Sequence, residues 1–130
     1  MQKFQNIFLV GLGGFIGSVL RYLLFVGIHH LSKAGPFPIS TLVVNTTGCL
    51  IIGFLGGWAE NLGTFNPQIR LFLFIGLLGG FTTFSTFSYE TITLLRHKEI
   101  LLALINVSLH LLLGFGAVIL GFTCSKLWTG

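Results

Sequence analysis

The sequence contains no aspartate, and its only carboxylates are Glu60, Glu90 and Glu99. Charged residues make up 8% of its 130 positions, too few to cover the surface of a water-soluble domain. A cation path lined by acids and a proton-coupled exporter both depend on carboxylates and find little here to build on. Cysteine is scarce: Cys49 and Cys124 fall in apolar segments and read as reduced, buried thiols, not a disulfide framework. The seven Lys and Arg residues are scattered and form no patch, which argues against nucleic-acid binding despite a net charge of +4. No small-residue cleavage site follows a short apolar stretch near Met1, so no signal peptide is expected. Alternating β-barrel patterning is missing, which favours an inner membrane over an outer one.

What remains is hydrophobic: 53% of the residues, with a mean hydropathy of +0.94. A membrane-spanning helix takes roughly 20 apolar residues, and four such segments nearly exhaust the chain. They are expected at about residues 7–28, 39–59, 70–95 and 100–122, as one domain over 1–130. The predicted fold class is therefore an all-α integral membrane protein of four transmembrane helices, both termini on one side. His29, His30, Ser32, Lys33 and Gly35 to Pro38 are expected in the first loop. Small residues recur four apart, at Gly13/Gly17, Gly14/Ser18, Gly53/Gly57 and Gly76/Gly80, a spacing that lets helix backbones approach closely in lipid.

The third segment is unusual. Its stretch Gly79-Gly80-Phe81-Thr82-Thr83-Phe84-Ser85-Thr86-Phe87-Ser88 opens on two glycines, and half of it bears hydroxyls. A glycine pair lets a helix unwind, and backbone groups freed in lipid must find another partner. A broken helix at a functional site is predicted here. Helical spacing groups Phe84, Phe87 and Ser88 on one face and Thr82, Ser85, Thr86 and Tyr89 on an adjoining one.

Loop charge is balanced. Lys3, Arg70 and Lys126 fall on one side, Lys33, Arg96 and Lys98 on the other, so the positive-inside rule gives no orientation. A chain that inserts both ways can pair with an inverted copy, and an antiparallel homodimer is expected. Ionisable and amide groups inside a membrane mark candidate sites: Arg21, Asn45, Glu90, Asn106 and His110. Each has an ordinary alternative, namely snorkelling for Arg21, interhelical bonding for the asparagines and neutral packing for His110. Taken together they offer N–H and O–H donors, a guanidinium and positive phenyl edges, with no central carboxylate. That interior suits a small anion, which these features do not name.

Gly13-Gly14-Phe15-Ile16-Gly17-Ser18-Val19-Leu20-Arg21-Tyr22, Asn45-Thr46-Thr47-Gly48 and the Gly79–Ser88 string resemble the Fluc family of small microbial fluoride channels (CrcB-like). The resemblance implies an inverted homodimer with two narrow pores that passively export fluoride across the cytoplasmic membrane. It implies a structural Na⁺ at the dimer centre, held by backbone carbonyls of Gly79 and Thr82. Phe84 and Phe87 would be the pore phenylalanines and Asn45 an amide donor. Ser85, Thr86 and Ser88 would form a hydroxyl track, Thr41 would line the pore further, and Arg21 would draw anions to a vestibule. In the fourth helix the family often has Tyr and Ser one turn apart, where this chain has Asn106 and His110. His110 enters the pore set without an assigned role.

Two other classes compete. A small multidrug-type, proton-coupled exporter has a similar size but needs an acid deep in helix one, where none precedes Arg21. A non-transporting assembly or cofactor-holding subunit would use His29, His30 or His110, which lack a paired ligand spacing. No nucleophile–base arrangement suggests an enzyme.

Overall fold

The computed structural model describes residues 1–32, 35–63 and 65–130, so Lys33, one of the balanced loop charges, lies outside the described residues. The apolar runs form helices, because in lipid a helix satisfies its own backbone. They are α1 (Gln2–Leu31), α2 (Ile39–Leu62), a composite third span and α6 (Ile100–Thr129). The third span is assembled from α3 (Pro67–Arg70), a wide π-helical stretch π1 (Leu71–Leu78), α4 (Gly79–Phe81) and α5 (Phe84–Arg96). Among the described residues, four helical segments, counting the third span as one, are long and apolar enough to cross a membrane. The chain is a multi-pass, all-helical membrane protein.

The helices run past the expected ends. α1 begins at Gln2 rather than Ile7 and continues through His29 and His30, which extend its last turn instead of forming a loop. α6 continues to Thr129. Polar ends can remain helical beyond the apolar run, since extending an already nucleated helix adds one backbone bond per residue ordered. Local chemistry sets the sharp boundaries. Gly63, in the left-handed region at φ 58, ends α2. Asn66 caps α3 by accepting a hydrogen bond from the Ile69 amide at 2.8 Å, with Pro67 in the first turn. Lys98, at φ 64, turns the chain from α5 into α6.

Packing follows the small residues. A Cβ added at Gly13 would meet the Phe72 carbonyl oxygen at 2.5 Å, and one at Gly80 the Gly14 carbonyl oxygen at 2.6 Å. Gly17 lies equally tight against Leu77 backbone, so α1 and the third span touch main chain to main chain. The most extensive pairing is α2 with α6, where Gly53 abuts Val118 and Gly121 abuts Leu50 and Phe54. The fully buried side chains of the chain include the polar Thr41, Asn106 and Ser125. Large apolar side chains such as Phe8, Phe15, Leu112 and Phe115 point outward, as they do when the surroundings are lipid or another helix.

Candidate functional site

The third span is not helical at Thr82 and Thr83. Thr82 has φ −90 and ψ 157, and Thr83 has φ −149 and ψ 114, both extended. Thr82 therefore leaves the helical register of α5, contrary to the face expected from uniform spacing. The lone amide–carbonyl pair of Thr83 is met by one side chain: Asn45 Nδ2 donates to the Thr83 carbonyl at 3.0 Å, and the Thr83 N–H donates to Asn45 Oδ1 at 2.9 Å. Asn45 thus stitches α2 to the extended residues as one strand would pair with another.

The extended pair then restarts a helix. Thr83 caps α5, its Oγ1 accepting from the Thr86 amide at 3.2 Å and donating to Thr86 Oγ1 at 3.0 Å, with Ser85 Oγ 3.1 Å away. These bonds have a consequence for the carbonyls. In a continuous helix the Thr83 N–H would close on the Gly79 carbonyl and the Thr86 N–H on the Thr82 carbonyl. Both amides are diverted, to Asn45 and to Thr83 Oγ1. Gly79 and Thr82 also line the same cavity.

Two cavities flank this junction. The first, about 440 Å³, is lined by Asn45, Gly79, Thr82, Thr83, Phe84, Phe87 and His110 with apolar neighbours. The second, about 300 Å³, is lined by Ser18, Arg21, Tyr22, Phe25, Thr41, Val44, Thr83 and Thr86. Thr83 belongs to both. The structure brings together Asn45, Phe84, Phe87 and His110 in one space and Arg21, Thr41 and Thr86 in the other. Ser85 and Ser88 line neither: Ser88 donates to its own helix, at the Phe84 carbonyl, 2.9 Å away.

Phe87 is held from two directions. Its ring lies 4.3 Å, centroid to centroid, from the His110 imidazole and 5.6 Å from Phe84. Its carbonyl accepts from Thr91 Oγ1 at 2.8 Å, and Thr91 Oγ1 accepts from Asn106 Nδ2 at 2.9 Å. The Asn106 carbonyl in turn is bonded to His110 Nδ1 at 3.0 Å. A closed circuit of α5 and α6 groups therefore fixes one aromatic ring. Thr41, fully buried, donates to Glu90 Oε1 at 2.7 Å, so this carboxylate is paired with a hydroxyl.

Thr83, Thr91 and the Thr41–Glu90 bond were not singled out from the sequence. For Thr83 a signal existed: a threonine three residues before Thr86, just where a helix would have to restart, is an N-cap pattern. The other bonds join residues 15 and 49 positions apart and leave no local trace.

Residues 8–122 match the family described as CrcB-like protein, Camphor Resistance (CrcB). The chain belongs to the CrcB-like family. Full-length relatives agree. It is 44% identical over 127 residues, 98% of both chains, to the fluoride-specific ion channel FluC of Elusimicrobium minutum. It is 43% identical to the protein of that name from Flavobacterium psychrophilum, over 94% of this chain and 98% of the other. The corresponding Rhizobium meliloti protein is 46% identical over 94% of this chain and 97% of its own. In this CrcB-like chain the family match spans both cavities and every residue that lines them.

Proposed function

We propose that this chain is a fluoride channel of the cytoplasmic membrane that works as an inverted homodimer with two pores. The observation that carries the reading is the first cavity, where amide and phenyl edges converge without a carboxylate, in a chain related end to end to fluoride-specific channels. Fluoride holds its water tightly, so a pore must replace several hydration contacts at once. One Asn45 amide hydrogen is committed to Thr83; the other is free to donate to the anion. The positive edges of Phe84 and Phe87 supply weaker contacts on an apolar wall. Arg21 in the second cavity raises the local anion concentration.

A second copy completes the wall. The Phe84 ring is 79% exposed in the single chain, and the balanced loop charges allow the inverted orientation. A central Na⁺ fits the donor set, because Gly79 and Thr82 carry carbonyls whose helical amide partners are diverted and hard cations take oxygen ligands. When bound, that ion would offset the repulsion among freed carbonyls and favour anions nearby. Passive channel transport also needs no acid in α1, and the sequence of α1 has none.

Fluoride efflux from liposomes holding the purified protein, beside chloride controls, tests the reading. Fluoride release in preference to chloride is expected. Equal passage of both ions, or of neither, would overturn it.

A further inference from the structure

Phe74 lines the first cavity and also a third one, of about 500 Å³, whose other linings are Pro67, Arg70, Leu71 and Ile75. The Arg70 guanidinium carbon lies 5.9 Å from the centre of the Phe74 ring, within reach of a cation–π contact. The side chain that walls the first cavity therefore carries a cation on its ring, and the lining of the third cavity has no carboxylate.

Arg21 and Arg70 stand on opposite sides of the break. Gly13 lies against Phe72 and Gly76, and Gly17 against Leu77 and Phe81, so α1 and the third span run parallel in this register. Arg21, one turn beyond Gly17, falls past Phe81 and lines the second cavity. Arg70 precedes Phe72 and falls well short of the break. The cavities follow in series: the third and first share Phe74, and the first and second share Thr83.

An anion arriving from the Arg70 end faces an unfavourable wall. Gly79 and Thr82, whose carbonyls have lost their helical amides, line the first cavity, and no lysine or arginine does. Arg21 lies beyond Thr83. We propose that Arg70, seated over Phe74, is an anion-binding site that gathers fluoride at the mouth of the first cavity. The inference rests on the fluoride-channel reading. The guanidinium N–H groups replace part of the anion's hydration, and the charge raises the local anion concentration. An unrestrained arginine would extend into water, whereas the ring keeps this one on the cavity wall. Such steering fades with salt, because the screening length shrinks from about 30 Å at 0.01 M to about 3 Å at 1 M.

The test is efflux of dilute fluoride from liposomes, with ionic strength set by sodium gluconate to about 0.01 M or about 1 M. At the lower setting R70Q should release fluoride about tenfold more slowly than wild type, and at the higher it should match within about twofold. R70K keeps the charge and should stay within about twofold of wild type at both. R96Q is the control, since Arg96 ends α5 and lines none of the three cavities. An inverted homodimer puts both ends of the third span on each face, so R96Q removes an equal charge from the same face and should leave flux unchanged. Wild-type flux in R70Q, or equal slowing in R96Q, overturns the site and leaves the channel reading standing. Slowing of R70Q that persists at high salt, or that R70K shares, marks a structural role and also overturns it. The R70Q defect should be the same in phosphatidylcholine vesicles and in vesicles rich in phosphatidylglycerol. A defect confined to the latter would assign Arg70 to lipid phosphate instead. No fluoride flux in the wild type removes both readings.

Discussion

Asn45 and Thr83 form a two-bond clasp: the side-chain amide of one donates to and accepts from the backbone of the other, at 3.0 and 2.9 Å. The clasp joins α2 to the point where the third span stops being helical. It also frees the Gly79 carbonyl from the amide that would otherwise close on it.

Asn45→Ala should therefore cost more than a pore contact. It leaves a partly buried N–H and C=O unpaired, on the order of 1–3 kcal/mol each, and fluoride flux should fall by at least about tenfold, since about 1.4 kcal/mol is tenfold in rate. Asn45→Asp keeps one acceptor for the Thr83 N–H but faces the Thr83 carbonyl with a second oxygen, and places negative charge in the first cavity. Lower melting temperature and lower flux are expected in both, measured on the purified protein and in liposomes. Wild-type melting in Asn45→Ala would show that the clasp contributes little.

Phe84→Ile and Phe87→Ile should slow fluoride flux with the assembly intact, because isoleucine fills space but has no positive ring edge. Thr91→Val tests the holding circuit separately. It keeps the shape of the side chain and removes the hydroxyl that links the Phe87 carbonyl to Asn106. Reduced flux with little change in assembly is the expected result. Normal flux in both isoleucine variants would rule out ring edges as ligands.

Two glycines on α2 give a contrast. A Cβ at Gly53 would collide with Val118 main chain, including Cα at 2.9 Å, whereas one at Gly56 meets the Phe122 ring at 3.7 Å. Gly53→Ala should force α2 from α6 and lose the folded, monodisperse protein. Gly56→Ala should stay within about 0.5 kcal/mol of wild type. Gel filtration and thermal melting distinguish them, and a well-folded Gly53→Ala would contradict the close seam.

Exhaustive Na⁺ withdrawal should lower flux and destabilise the assembly, with recovery on adding Na⁺ back. If both survive removal that includes unfolding and refolding in Na⁺-free buffer, the Gly79 and Thr82 carbonyls do not hold the ion.

The sequence alone determined the class and drew attention to the third span. Absent aspartate, four apolar runs and glycines four apart leave few folds for a chain in lipid, because backbone satisfaction and close helix contact are local, periodic requirements. The Gly79-Gly80 pair itself stays helical, in α4, and the extended residues follow it at Thr82 and Thr83. Tertiary structure decided what each polar residue does. Asn45 meets Thr83, Thr41 meets Glu90 and Asn106 meets Thr91 across distances in sequence that no spacing rule spans. Spacing within α5 already put Thr86 and Phe87 on adjoining faces, and the packing decided which cavity each face lines. A hydrogen bond depends on where two helices cross and how each is rotated, and those are properties of the packed bundle.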